Sequence, residues 1–192
     1  MKKLTCALIL ACTASLAGCL FPESFVARLG FEKDGSYTFT YAGTAVNPMA
    51  SYDLKGRGTL RSADEEKLAA DATSLKSNKD VKAIKYKGAA RYDLTLDARR
   101  KAGESMRLLD VFFVTTGTDG VTTVASIETK ENDRKMLEDL GIKINGTLDV
   151  RLPANAEVIS RNATSTPSLF SSTYGWKIGK IGDRPILKFR LK

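Results

Sequence analysis

Apolar and polar residues alternate with a period of two along several segments, and that alternation predicts paired strands. Tyr37, Phe39 and Tyr41 alternate with Thr38 and Thr40. The apolar run from Phe25 to Glu32 precedes them across Lys33-Asp34-Gly35-Ser36. Asp-Gly between two β-rich runs predicts a hairpin, because Gly accepts a positive φ at no steric cost. Asn47-Pro48 ends the second strand, and the segment up to Leu60 fits either a loop or a short helix. Val81 to Lys87 and Arg91 to Asp97 predict a second hairpin turning near Gly88, with Tyr92, Leu94 and Leu96 opposing Asp93, Thr95 and Asp97. Arg107 to Thr115 and Val121 to Ile127 flank Gly117-Thr118-Asp119-Gly120 and predict a third. Within it, Val111-Phe112-Phe113-Val114 reads as a strand covered on both faces.

Two segments change to the helical period. Ser62 followed by Glu65 forms a capping box, and Leu68, Ala72 and Leu75 recur at helical spacing, so a helix is expected from about Ala63 to Ser77. Asp64 and Glu66 add charge favourable at its N-terminus. A second helix is expected from about Lys130 to Leu140, with Met136, Leu137 and Leu140 as its apolar stripe and Gly141 closing it. Later, Leu148, Val150 and Leu152 alternate with Asp149 and Arg151, Val158 and Ile159 follow, and Leu187, Phe189 and Leu191 alternate with Lys188, Arg190 and Lys192. The expected fold is α+β: a mainly antiparallel β-sheet of several hairpins with two helices packed on one face. No internal repeat is visible.

The N-terminus follows another logic. Lys2 and Lys3 precede an apolar stretch from Leu4 to Leu16. That stretch is too short to span a hydrocarbon core of ~30 Å and fits the apolar region of a secretory signal. It ends Leu16-Ala17-Gly18-Cys19, which resembles the lipobox of bacterial lipoproteins at all four positions. An ordinary signal cut at the small pair Ser15 and Ala17 is the alternative. The resemblance implies that Cys19 takes a diacylglyceryl group on sulfur and that cleavage falls between Gly18 and Cys19. It divides the chain into a removed signal peptide, 1–18, a lipidated cysteine with a short tether, 19–24, and a single domain, 25–192. It also implies attachment to a membrane through Cys19. Leu20, in place of Asp, resembles the signal for the outer membrane in a cell with two membranes, which would put the protein on its periplasmic face.

Composition narrows the chemistry. The chain has 192 residues, 43% hydrophobic and 27% charged, which suits one globular domain. There is no His, so Ser-His and Cys-His nucleophile pairs are excluded, along with the commonest zinc ligand. The cysteines are Cys6, Cys12 and Cys19, so a chain cut before Cys19 keeps one thiol and forms no internal disulfide. Loss of Lys2 and Lys3 lowers the formal net charge from +8 to +6. An exported basic domain is expected to meet anionic lipid or envelope polymer and no nucleic acid.

Catalytic and metal-binding patterns fail on inspection. Asp34 and Asp119 sit beside Gly in hairpin turns without the alternating oxygen ligands of a calcium loop. Asp93 and Asp97 share a strand face about 13 Å apart, too far for one proton or one ion. Asp64, Glu65 and Glu66 read as a helix start. Asn145-Gly146-Thr147 and Asn162-Ala163-Thr164 match the glycosylation pattern, and Asn-Gly also reads as a turn. No Ser-x-x-Lys, Gly-x-Ser-x-Gly or phosphate loop is present. No cofactor and no metal are expected.

Three surface features remain. Lys76, Lys79, Lys82, Lys85, Lys87 and Arg91 crowd one region, and Arg99-Arg100-Lys101 reads as a basic loop. Asn162 to Gly175 reads as a polar loop holding Leu169, Phe170 and Tyr174, a candidate contact loop that Trp176 follows. The run from Arg151 to Val158, then Ser160 to Ala163, a loop and Trp176, resembles the ending of LppM-type lipoprotein domains over some 40 residues. That resemblance implies a lipid-binding type of sheet-and-helix domain without catalysis. The expected function is a non-enzymatic envelope lipoprotein binding an amphiphile or a partner protein. The alternative is an envelope hydrolase with carboxylates assembled by folding.

Overall fold

The structure, a computed structural model, describes residues 20–109, 111–169 and 171–192. The signal segment, Cys19 and Phe170 lie outside the described residues.

The first hairpin forms where the alternation places it. β1 (Phe21–Phe31) pairs antiparallel with β2 (Tyr37–Val46). Asp34 Oδ1 accepts hydrogen bonds from the Ser36 amide at 2.9 Å and hydroxyl at 2.6 Å, and Gly35 takes a φ of 84°. β3 (Val81–Gly88) and β4 (Arg91–Arg100) form the next hairpin, and β4 pairs with β2. β8 (Asn145–Arg151) lies parallel to β1, and β10 (Thr173–Ile178) lies antiparallel to β8. The result is a six-stranded sheet in the order β10-β8-β1-β2-β4-β3.

A second sheet has five strands. β5 (Met106–Leu108), β6 (Phe112–Thr116), β7 (Val121–Ser126), β11 (Ile186–Leu191) and β9 (Ala156–Arg161) follow one another in that spatial order, all antiparallel. The two sheets meet through aromatic side chains. Phe25 meets Phe112 edge-on at 5.8 Å, and Phe31 meets Phe189 at 4.8 Å. On β1 the alternate residues Phe25, Ala27, Leu29 and Phe31 are all buried, as are Leu187 and Phe189 on β11. One hydrophobic core runs through both sheets. Gly43 and Gly146 leave room for Phe25: a Cβ on Gly146 would lie 2.5 Å from the Phe25 ring.

Three helices form among the described residues. In α1 (Pro48–Arg57), Asn47 caps the first turn by accepting from the Ala50 amide at 3.1 Å, and Pro48 occupies a position that needs no amide donor. α2 (Ser62–Leu75) buries Leu68 and Ala72 and lies along β3. α3 (Glu131–Asp139) buries Leu137 and ends at Gly141, whose amide donates to the Glu138 carbonyl while Ile142 donates to that of Leu137. This paired arrangement needs the positive φ of 72° at Gly141.

Several expectations are corrected. One sheet becomes two, and two helices become three, because 48–57 has a capped start but little amphipathic pattern. The tether does not exist as a spacer: Leu20 is 6% exposed and β1 starts at Phe21, so the domain begins before residue 25. The strand expected from Arg107 to Thr115 is broken into β5 and β6 by a turn at Leu109, φ 46°, with Val111 donating to the Leu108 carbonyl. Phe113 is only partly covered, so β6 alternates instead of being buried on both faces. The capping box does not form: Ser62 is already helical, and no side chain caps α2. Arg99 and Arg100 belong to β4, and Asn145-Gly146 to β8. The chain leaves the five-stranded sheet at Arg161 and enters the six-stranded sheet at Thr173, so Tyr174 and Trp176 are strand residues.

Candidate functional site

Several carboxylates are engaged one by one. Glu23 takes a two-point contact from Arg91, at 3.0 and 3.1 Å. Asp93 pairs with Lys87 at 3.2 Å, and Asp64 with Arg61 at 2.8 Å. Glu65, freed from capping, accepts from the Tyr86 hydroxyl at 2.5 Å and from the Ala89 amide at 3.4 Å. Burial, and then this carboxylate, push the Tyr86 phenol up to about 12. Asp80 accepts from both terminal nitrogens of Arg100, which hold its carboxyl below the usual range. No three His, Cys, Asp or Glu residues gather as metal ligands among the described residues.

The lysine-rich segment lies along β3, an edge strand of the six-stranded sheet. Lys82, Lys85 and Lys87 are exposed there, while Ile84 between them is buried. Charged side chains on an open edge discourage pairing with another chain. The late loop lies at the other edge. Thr164 and Ser165 both donate to the Gly175 carbonyl, and Gly175 donates back to Ser165, so the loop folds onto β10. β3 and β10 are five strands apart, about 24 Å through the sheet. The basic segment and the loop therefore do not form one face.

Of the contact residues, Trp176 is a core residue, 6% exposed. Its indole donates to Asn162 Oδ1 at 2.8 Å; the same oxygen accepts from the Ile186 amide, and Asn162 Nδ2 donates to the Arg184 carbonyl. Asn162 thus ties β9, β10 and β11 together. Tyr174 is half-buried beneath the Arg161 guanidinium, 5.7 Å from its ring centre. Leu169 is 97% exposed. Phe170, the remaining candidate in the loop, lies outside the described residues.

An apolar cavity of about 210 Å³ opens at the β3–β4 side. Leu75 of α2, Ile84 of β3, Leu94 of β4, Leu108 of β5 and Leu20 line it, together with Asn78, Arg107 and the Asp80–Arg100 pair. An apolar cavity of ~150 Å³ stays dry and accepts a benzene-sized guest. At about 210 Å³ this one is larger than that and smaller than the ~300–1,000 Å³ of an ordinary ligand pocket. The sequence pattern offered two of its walls, the helical repeat ending at Leu75 and the alternation through Leu94. It gave no sign that Leu20 would turn inward to meet them.

A second, open groove of about 600 Å³ runs between α1 and α3, lined by Tyr52, Lys55, Lys135, Met136 and Leu140 among others. No helix among the described residues is long and apolar enough to cross a membrane. No protein-family model matches this chain, and a search of curated proteins found no match.

Proposed function

We propose that this protein is a lipid-anchored lipoprotein of a bacterial envelope whose β-rich domain is a non-enzymatic binding module for the alkyl part of an amphiphile. The observation that carries the reading is one of position. Leu16-Ala17-Gly18-Cys19 ends one residue before Leu20, and Leu20 is already packed in the core. A chain cut before Cys19 keeps every described residue of the fold and begins at the modified cysteine. Cys19 then holds the membrane through its diacylglyceryl group. Stable attachment takes more than one acyl chain, which the diacyl group provides.

The cavity beside Leu20 supports the amphiphile part: most of its lining is aliphatic, and Asp80, Arg100 and Arg107 add charge to it. Binding is favoured over hydrolysis because three of the part-buried carboxylates, Glu23, Glu65 and Asp80, are engaged by Arg91, Tyr86 and Arg100. In a cell with two membranes, Leu20 after the cysteine directs the reading to the periplasmic face of the outer membrane. Leu20 has a packing role besides.

Mass spectrometry of protein purified gently from its native membrane tests both parts. The expected result is an N-terminal Cys19 carrying diacylglyceryl, with acyl-bearing molecules co-purifying. Cys19→Ser should release the protein or leave it uncleaved; a cleaved Ser variant still held on the membrane would overturn the anchor. For the cavity, dodecanoate binding to a chain starting at Leu20 should be lost in Leu75→Trp, which fills the space. Unchanged binding in that variant would place the ligand elsewhere.

A further inference from the structure

The chain reaches the fold at one end of the six-stranded sheet, and the exposed apolar residues of two helices are gathered at that same end. Phe21 is the register partner of Val46, and Asn47, the cap of α1, comes next. The start of β1 and the start of α1 therefore lie side by side. α3 joins them: it leads into β8, whose first residue, Asn145, is level with Ser24, and Lys55 of α1 donates to the Asp139 carbonyl at the end of α3. On this pair of helices Met49 is 73% exposed, Tyr52 65% and Met136 45%. Met49 lies one turn before Tyr52, and Tyr52 and Met136 share the groove between the helices. Lys55, Lys135 and Asp139 border the same groove.

The late loop occupies the opposite end. Thr173 is level with Arg151, and Arg151 with Gly30, so Leu169 lies near the far end of β1, a strand about 30 Å long. The remaining exposed large apolar residues, Val26 and Ile159, stand singly on different sheets.

We propose that the α1–α3 face is the surface this protein lays on its membrane. The proposal rests on the reading of Cys19 as the lipid anchor. Consecutive Cα atoms are ~3.8 Å apart, and Leu20 is fixed in the core, so no spacer separates an acylated Cys19 from this end of the sheet. The anchor holds the α1 end against the bilayer. Met49, Tyr52 and Met136 enter the boundary between headgroups and acyl chains, where an amphipathic ring such as that of Tyr sits well. Lys55, held by the Asp139 carbonyl, and Lys135, 3.7 Å from Glu131, lay their stems along this apolar surface at the level of the headgroups. The loop at Leu169 faces away from the membrane.

The test uses the acylated protein cut before Cys19, in vesicles of phosphatidylethanolamine and phosphatidylglycerol. With Cys19 acylated, a cysteine introduced by Met49→Cys, Met136→Cys or Leu169→Cys is the only free thiol and takes an environment-sensitive fluorophore. Nitroxide-bearing lipid should quench the labels at 49 and 136 several-fold more than the label at 169. Equal quenching at the three positions, or strongest quenching at 169, overturns the proposal. Labels at 49 and 136 that are shielded from water yet not quenched by lipid would assign the face to a protein partner, and also overturn it. Mass spectrometry of each sample separates the two failures. Unacylated Cys19 brings down the anchor reading and this face with it, whereas acylated protein with unquenched labels at 49 and 136 brings down only the face.

Discussion

The two edges of the six-stranded sheet solve one problem by different means. An edge strand leaves amides and carbonyls open to another chain. At β3 the answer is charge and a helix: Lys82, Lys85 and Lys87 line the strand, and α2 packs along it. At β10 the answer is backbone: the loop after Arg161 folds back and bonds to Gly175. Lysines and an aromatic-bearing loop look alike in sequence as signs of a contact face. In the fold they stand at opposite edges, and each has a structural use. What separates the edges is the space behind them. Behind β3 lies an apolar cavity; at β10 the indole of Trp176 fills the interior and is bonded to Asn162.

That contrast breaks first at Trp176. Trp176→Ala should cost about 3–5 kcal/mol, the range for removing a large buried aromatic side chain, read as the midpoint of urea unfolding. Asn162 would keep its bonds to Ile186 and Arg184 but lose the indole. A loss below ~1 kcal/mol would mean that the β10 side is not packed as described, and would reopen Trp176 as a ligand platform.

High pH should strike the β3 side and the adjoining hairpin. Tyr37 and Tyr86 are both pushed up to about 12, chiefly by burial, and Tyr41 and Tyr92 are also raised, by burial first. The unfolded chain loses these protons near pH 10. A raised phenol contributes its full stability below pH 10 and loses it as pH climbs towards 12, since the unfolded state ionises first. Each of the enclosed phenols should contribute on the order of 2 kcal/mol to that loss. Tyr86→Phe should flatten the fall without abolishing it. A stability profile level from pH 9 to 11.5 would contradict the burial of these rings.

Arg100 gives a smaller effect at the cavity. Its side chain is 12% exposed and that of Asp80 19%, so Arg100→Met leaves a partly buried carboxylate without its partner. A loss of about 2 kcal/mol is expected at pH 7, below the ~3–5 of a fully buried pair. It should shrink as pH falls through the Asp80 carboxyl, which is held down in the wild type. A loss that stays constant to pH 3 would remove the ion pair as its cause.

Hairpins were legible in the sequence because their information is local: Asp34-Gly35 supplies the turn, and Tyr37, Phe39 and Tyr41 supply the buried face. The helix endings were legible for the same reason, as Gly141 shows. The division into two sheets was not, because alternation marks which residues face inward without marking which strand lies opposite. β8 illustrates this: Leu148 and Val150 announce a strand, yet its parallel pairing with β1 joins residues more than a hundred positions apart. Glu65 misled because a carboxylate three residues after Ser62 satisfies a local pattern, while Tyr86 and the Ala89 amide, distant in sequence, take it instead. Of the site, Cys19 has a local motif. The cavity does not, because Leu20, Leu75 and Leu108 come from separate elements.

The turn at the end of β3 should respond in the stabilising direction. Gly88, Ala89 and Ala90 all have positive φ, at 85°, 51° and 64°. For Ala this conformation is strained, and here the Tyr86 hydroxyl accepts from the Ala90 amide while Glu65 accepts from that of Ala89. Ala89 is exposed, so removing its methyl group sacrifices no packing. Ala89→Gly should raise stability by about 0.5–1 kcal/mol, the relief of strain exceeding the added freedom of the unfolded chain. A loss would mean that the turn is not left-handed at this residue.

The smallest effect is the one that sharpens the comparison most. Leu169 is 97% exposed, on a loop that bonds to β10 through backbone groups at Thr164, Ser165 and Gly175. Its side chain contributes nothing to those bonds, so Leu169→Ser should change stability by no more than about 0.5 kcal/mol. The same variant should leave vesicle binding unchanged, because the loop stands at the end of the sheet away from the start of β1. Met49→Ser with Met136→Ser, equally superficial, should also leave the unfolding midpoint nearly fixed but weaken vesicle binding of a chain starting at Leu20, which has no acyl anchor. Two pairs of numbers decide the matter: unfolding midpoints that stay together while membrane binding separates. Binding that weakens with Leu169→Ser and not with the methionine pair would reverse the proposed orientation of the domain on a membrane.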